Sequence, residues 1–190
     1  MTLTLPIDAE ANDLLRRSPL ALLIGMILDQ QFPMERAFLA PYELSRRLGH
    51  EPTAGELAAF DPDALIAIFA KPPVLHRFPR AMAARVQEAC QIVVQRYGGD
   101  TERIWTGAAD AKDAFKRVSE LPGFGRQKAQ IFLALLGKRF DVRPEGWREV
   151  AGDYGREGSF RSVADVVDAA SLEKVRDFKK QIKTAAKSNG

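Results

Sequence analysis

A short glycine turn between two amphipathic helices constrains this chain more than any other feature of its sequence. The turn lies within Leu121–Ala129, which reads Leu-Pro-Gly-Phe-Gly-Arg-Gln-Lys-Ala. Apolar residues at helical spacing precede the turn, at Phe115 and Val118, and follow it, at Ile131–Leu136. This pattern predicts a helix-hairpin-helix unit over about residues 112–137.

The residues of the turn suit a phosphate group. Gly123 and Gly125 let the backbone adopt a positive φ and approach another surface, because neither carries a Cβ. The following amides begin a helix, so they carry the positive end of its dipole. We expect Gly123, Phe124, Gly125, Arg126 and Lys128 to bind DNA phosphates, which would position the protein without reading base sequence. The alternative is an ordinary helix–helix turn with solvated cations.

Helical periodicity dominates the rest of the chain, and strand-like alternation is nearly absent. Helix start signals stand at Ser18-Pro19, Thr53, Asp61-Pro62 and Asp110, each before an apolar segment. No internal repeat or low-complexity linker divides the chain. We therefore expect an all-α protein that forms a single unit over residues 1–190.

The charge of the chain permits a polyanionic partner without requiring one. Its 28 Lys and Arg residues against 25 Asp and Glu residues give a formal net charge of +3. The last segment is more basic than the whole and predicts a C-terminal helix over about residues 171–186. Two interpretations of this helix stay open, an extension of a phosphate-facing surface and a solvated final helix.

The single cysteine, Cys90, limits the chemistry of the chain. It excludes an intrachain disulfide and any four-thiolate iron–sulfur or zinc site, and we expect it to be buried within a helix over residues 80–97. His50 and His76 lack the spacing of a metal site or catalytic pair, so we expect surface or capping roles for both. No metal site is therefore expected.

The chain carries no predicted membrane or export segment. The apolar run Leu20–Leu28 is too short to cross a membrane, and the N-terminus lacks the features of a signal peptide. We expect a cytoplasmic, monomeric protein.

The hairpin and two further segments resemble the helix-hairpin-helix, Gly-Pro-Asp (HhH-GPD) superfamily of base-excision DNA glycosylases, which includes endonuclease III. Residues 18–31 are similar to that family's first core helix, which ends in a glutamine-bearing turn facing DNA. Residues 76–99 are similar to the segment before the hairpin in endonuclease III. The resemblance covers roughly residues 12–154 and implies two helical lobes around a central cleft. It also implies double-stranded DNA as partner and excision of a flipped-out base, with Gln30 or Gln31 filling the gap in the duplex.

Breaking an N-glycosidic bond builds positive charge on the sugar, so a nearby carboxylate that stabilises it and activates water is the minimal catalyst. The family carries an aspartate in a loop after the second helix of the hairpin. A count without gaps puts Glu145 at that position, and a gap of a few residues would instead nominate Asp141 or Asp153. This departure leaves open a second function, a DNA-binding protein that has lost the catalytic aspartate.

Family members that also cut the DNA backbone use a lysine just after the hairpin to form a Schiff base. That position here is Gln127, and the neighbouring Lys128 is expected to turn about 100° away from the cleft. The resemblance therefore implies a monofunctional glycosylase. Trp147 and Tyr154 are expected to line the base pocket. No iron–sulfur cluster is expected, and a monovalent cation could bind the hairpin carbonyls.

Overall fold

The computed structural model describes residues 3–188, which form helices joined by short turns and contain no β-strand. The all-α prediction is thus confirmed. In chain order the helices are α1 (Ala9–Arg17), α2 (Pro19–Leu28), α3 (Met34–Leu48), α4 (Ala54–Ala59), α5 (Pro62–Ala70), α6 (Pro79–Tyr97), α7 (Arg103–Thr106), α8 (Ala111–Ser119), α9 (Arg126–Arg139), α10 (Trp147–Ala151) and α11 (Ala169–Ser188). Two single 3₁₀ turns lie between α10 and α11, at Gly152–Gly155 and Val163–Asp165.

Several helices start at the caps that the sequence predicts. The Ser18 hydroxyl accepts a hydrogen bond from the Ala21 N–H at 3.3 Å and so caps α2. Thr53, Asp61 and Asp110 do the same for α4, α5 and α8. Each such cap satisfies an amide that the helix itself cannot pair and is typically worth about 1 kcal/mol.

The first buried helix is α2. Every residue from Leu20 to Leu28 is buried, as expected for a helix that is apolar all round. It packs on α3 and also contacts α1 and α6. The approach to α3 is close at Gly25, where a Cβ would lie 2.7 Å from the Phe38 ring.

The second buried helix, α9, determines where the hairpin lies. Helices α8 and α10 and both 3₁₀ turns pack around it. On one side Trp105 meets Phe132 edge-on, with ring centroids 5.4 Å apart, and on another Trp147 rests against Gly137. Because α9 is buried at Ala129 and from Phe132 to Gly137, the core fixes its position and with it the position of the hairpin.

Cys90 is buried in α6 as predicted, and its burial raises the pKa of the thiol to about 12. No helix within residues 3–188 is both long and apolar enough to cross a membrane. Within the same residues, no three His, Cys, Asp or Glu side chains are grouped so that they could hold a metal ion.

Gly137→Ala is predicted to destabilise the fold, because the added Cβ would lie 2.5 Å from the Trp147 ring. We expect the free energy of unfolding, measured by urea denaturation, to fall by about 1–3 kcal/mol. The control is Gly55→Ala in α4, where the nearest atom is 3.8 Å away. At that position the better helix propensity of alanine should raise the free energy of unfolding by up to about 1 kcal/mol. An equal change in both variants would contradict the packing described for Trp147.

Candidate nucleic-acid interface

The turn of the hairpin, residues 120–125, is held from below by a buried aromatic ring. Phe124 is only 6% exposed, and its ring centroid lies 5.8 Å from that of Phe132 in α9. The Phe124 N–H also donates to the Leu121 carbonyl at 3.1 Å. The side chain of Phe124 therefore supports the turn from inside, and the two neighbouring glycines are left exposed.

Several backbone N–H groups around the turn have no acceptor among the residues that the structure describes. No atom of residues 3–188 accepts a hydrogen bond from the amides of Gly123, Gly125, Arg126, Gln127 or Lys128. The last three belong to the first turn of α9, where the helix dipole is positive. The exposed side chain of Arg126 adds a full positive charge beside them.

Only one of the two glycines has a left-handed backbone. Gly123 has a φ of +85°, and a Cβ there would lie 2.7 Å from the Cδ of Arg85. Gly125 has a φ of −89°, so the prediction of a positive φ there is wrong. A Cβ at Gly125 would meet no atom within 4 Å. What glycine provides at that position is an open path for another molecule to approach the backbone.

Arg85 joins the hairpin to the end of α2. Its Nη1 donates to the Oε1 of Gln30 at 2.9 Å, while its side chain passes beside Gly123. The Gln30 carbonyl accepts a hydrogen bond from Nε2 of His76 at 3.0 Å, and Nδ1 of His76 accepts one from the Phe78 N–H at 3.1 Å.

His76 is fully buried, and that burial lowers its pKa. A neutral ring with one donor and one acceptor nitrogen satisfies both of its contacts. A surface position, one of the two roles expected for His76, is therefore wrong. The other role, capping, agrees with the hydrogen bond from Phe78, the residue that precedes α6. No sequence signal pointed to this contact, because its partner lies 46 positions away.

The two glutamines after α2 face different surroundings. Gln30 is half-buried and bonded to Arg85, whereas Gln31 is exposed and makes no hydrogen bond to the described residues through its side chain. Gln31 also has a φ of +51°, which is uncommon for a residue other than glycine and typical of functional turns. Of the pair, Gln31 is therefore the side chain available to another molecule.

A cleft of about 490 Å³ opens beside the hairpin. It lies between the end of α2, the start of α9 and α11. Its lining combines charged groups with aromatic ones: Asp29, Lys128, Lys179, Lys183, Tyr154 and Phe178.

Lys128 lines this cleft, so the expectation that it turns away is wrong. The face of α9 that carries it adjoins the end of α2, and its Nζ donates to the Ile27 carbonyl at 3.0 Å. Burial lowers the pKa of the Lys128 amine to about 8, an effect that the charge of Asp29 partly opposes.

Asp29 is a functional candidate that sequence reasoning missed. It ends α2, with its N–H bonded to the Gly25 carbonyl at 3.0 Å, and no donor among the described residues bonds its carboxylate. Burial raises the pKa of Asp29, and the charges of Lys179 and Lys128 oppose that rise. One signal was available in the sequence, since an acid at the C-terminal end of an apolar helix opposes the helix dipole.

The C-terminal helix α11 forms the remaining wall of the cleft. Arg176 makes an ion pair with Glu35 of α3, and the Arg161 guanidinium lies 4.8 Å above the ring of Phe178. Lys179 and Lys183 line the cleft, so the basic helix is not merely a solvated tail.

Comparison with known proteins bears directly on this geometry. The family model described as HhH-GPD superfamily base excision DNA repair protein matches residues 24–188. The chain belongs to the HhH-GPD superfamily. This confirms the resemblance drawn from the hairpin, and the match extends beyond it through α11. No curated protein and no solved structure matches the chain.

The HhH-GPD resemblance placed the catalytic carboxylate after α9, but the structure does not bring Glu145 or Asp141 to the cleft. Both are exposed, and the Glu145 carbonyl accepts from the N–H of Ala111 at 3.2 Å, at the start of α8. At about 1.5 Å per residue, the 14 residues of α9 carry its far end about 20 Å from the turn. The reason is local: the Val142 N–H bonds the Leu136 carbonyl at 3.2 Å, which folds the loop over the end of α9.

The chain of this HhH-GPD protein returns to the cleft only after α10. Tyr154 lines the cleft, and its hydroxyl accepts a hydrogen bond from Nε2 of Gln127 at 2.6 Å. Asp153 lies beside it but is exposed and paired with Arg156 at 2.9 Å and with Arg161 at 3.6 Å. Asp153 is thus not among the residues that line the cleft, and its carboxylate is already paired with two arginines.

Trp147 does not line the cleft, contrary to prediction. It is 8% exposed and packs against Gly137, near the far end of α9. The Arg148 guanidinium covers its ring at 4.8 Å. Trp147 is therefore a core residue, and Tyr154 is the predicted pocket residue that the structure does bring to the cleft.

Lys128→Met is predicted to raise the free energy of unfolding at pH 7, because it removes a buried ammonium. The Lys128 pKa is about 8 in the folded protein against 10.5 for an ordinary lysine. Below about pH 8 Lys128 is protonated in both the folded and the unfolded protein, so the folded protein bears the full cost of the buried charge. Between about pH 8 and 10.5 the folded state binds fewer protons than the unfolded state, so the free energy of unfolding rises with pH. Over this pH range the free energy of unfolding of wild type, measured by urea denaturation, should rise by on the order of 3 kcal/mol relative to that of Lys128→Met. Lys112→Met, at an exposed site, is the control. If the free energy of unfolding depends on pH in the same way in wild type and in Lys128→Met, the burial of the Lys128 amine is contradicted.

Proposed function

We propose that the protein is a monofunctional DNA glycosylase that hydrolyses the N-glycosidic bond of a damaged or mispaired base in double-stranded DNA. The observation that carries this proposal is the meeting of five hairpin amides, which have no acceptor in the described part of the chain, with a cleft of about 490 Å³. Backbone amides at a helix start suit a phosphate, and the volume falls within the range of about 300–1,000 Å³ typical of small-ligand sites. A single extruded nucleotide would place a phosphate on the amides and its base in the cleft.

The hairpin grips the duplex through its backbone. The unpaired amides and Arg126 bind phosphate oxygens, and Lys183 of α11 adds a cation on the same cleft. Exposed Gln31 enters the gap that the extruded base leaves. The carbonyls of Pro122 and Gly123 accept no hydrogen bond from the described residues, which suits a monovalent cation that would add positive charge beside the phosphate.

The extruded base enters the cleft, where aromatic faces and a few polar groups can recognise it. Tyr154 and Phe178 offer the aromatic faces. The Gln127 amide, already aligned by the Tyr154 hydroxyl, can hydrogen-bond an edge of the base. An amide at position 127 cannot form a Schiff base. Lys128 also lines the cleft, but its Nζ is bonded to the Ile27 carbonyl, so we assign the attack to water and a monofunctional reaction.

A second candidate function is DNA binding without catalysis. It is favoured by the position of Glu145, which lies outside the cleft although the count from the hairpin assigns it the catalytic place. The two functions differ in one measurable respect, since only the glycosylase releases a base.

The proposal predicts base release from at least one member of a panel of lesion-bearing and mismatched duplexes. Release is measured by chromatography of the freed base, and strand cleavage by gel electrophoresis before and after alkali. We expect a free base and an abasic strand that breaks only after alkali treatment. Binding to every duplex with no release from any would favour the second function, and cleavage without alkali would contradict monofunctional chemistry.

Gly125→Ala is predicted to weaken binding to all duplexes alike, by about tenfold in Kd, because the new methyl group would stand where the backbone meets a phosphate. Fluorescence anisotropy at two salt concentrations measures the effect. The fold should be unchanged, since the Cβ meets no protein atom within 4 Å. Gly55→Ala, distant from the hairpin in sequence and equally well accommodated, should bind like wild type. Unchanged affinity of Gly125→Ala would remove the hairpin from the interface.

A further inference from the structure

Asp29 occupies a place that is unfavourable for a carboxylate on structural grounds alone. It ends α2, where the helix dipole is negative, and it is half-buried. No hydrogen bond or ion pair to its side chain is formed within residues 3–188. A residue that breaks a local rule without structural compensation is typical of a functional site.

The surroundings of Asp29 make it the acidic group of an otherwise basic cleft. Lys128 approaches from α9 and Lys179 from α11, while Glu35 of α3 is the other acid close enough to act on it. Lys128 in turn is faced by Asp29, by Arg85 of α6 and by Lys179. The cations hold Asp29 towards its ionised form against the effect of burial.

We propose that Asp29 is the catalytic carboxylate of the cleft and that Lys128 is its proton-donating partner. This inference rests on the proposed function. It places the carboxylate at the end of α2, a position that the family resemblance did not nominate.

The reaction balances with water as the only co-reactant. The bond between C1′ and the base nitrogen breaks, and its electron pair leaves with the base. Lys128, which keeps two N–H donors beyond the one bonded to Ile27, gives the departing base a proton. Asp29 stabilises the cationic sugar and takes a proton from the water that attacks C1′. Transfer of that proton from Asp29 to Lys128 restores both groups and leaves a free base and an abasic site.

Binding of a charged sugar mimic tests Asp29 without knowledge of the lesion. Two duplexes are compared: one carries a cationic pyrrolidine in place of the sugar, and the other a neutral tetrahydrofuran. We expect wild type to bind the pyrrolidine duplex at least tenfold more tightly. Asp29→Asn should lose this preference while its Kd for the tetrahydrofuran duplex stays within threefold of wild type.

Matched carboxylate-to-amide variants separate Asp29 from the other acids. Asp153→Asn and Glu145→Gln should keep the preference for the pyrrolidine duplex. The proposal is overturned if wild type shows no preference, if Asp29→Asn keeps it, or if either of the other variants abolishes it. Absence of base release by wild type would count against the proposed function instead, so the two failures are distinguishable.

Two measurements test the role of Lys128: the pH dependence of the reaction rate and the trapping of a covalent adduct. On a duplex that wild type processes, the single-turnover rate should fall above about pH 8 as Lys128 loses its proton. Lys128→Arg, which stays charged, should lose this fall. Borohydride treatment of wild type with an abasic duplex should trap no covalent adduct. An adduct at Lys128, or a pH profile identical in the two proteins, would overturn the proton-donating role.

Discussion

The burial of Phe124 beneath the turn is the interaction on which the rest of the site depends. The ring lies against Phe132 and connects the turn to the core of α9. Because this side chain points inward, the backbone on either side must present its amides outward. A polar or small residue in its place would leave the turn without an anchor, and the amides would then have no fixed direction. The geometry of phosphate binding is therefore set by packing inside the protein.

The two buried charges of the cleft, on Lys128 and Asp29, lower the stability of the fold but favour proton transfer. A half-buried ammonium and a half-buried carboxylate lie close to one another without forming an ion pair within 4.0 Å. Each is desolvated, and neither receives full compensation from the other. Such a pair costs folding free energy, yet its proton affinities are drawn towards neutral pH, where transfer is most effective. Lys128 also bonds the Ile27 carbonyl, which keeps its position defined.

Local signals in the sequence predicted local structure well. Cap residues such as Ser18 and Asp110 and the hairpin turn itself are determined by neighbours a few positions away. The cleft depends on contacts of another kind, since Lys128 meets a carbonyl 101 positions distant and His76 one 46 positions distant. No periodicity or motif reports these pairs. The count that nominated Glu145 assumed that the loop after α9 returns to the turn. The number of residues in a loop does not determine the path that the loop takes.

The loop after α9 explains why the catalytic demand would fall on α2. Hydrogen bonds from Val142 to Leu136 and from Arg143 to Gly137 fold this loop over the end of its own helix. The chain then reaches the cleft only by way of α10. It arrives with an aromatic residue, Tyr154, beside an exposed acid, Asp153, that is paired with two arginines. A cleft that is aromatic on that side needs its negative charge from another wall. The end of α2 lines the cleft beside the hairpin, and Asp29 is the carboxylate that it places there.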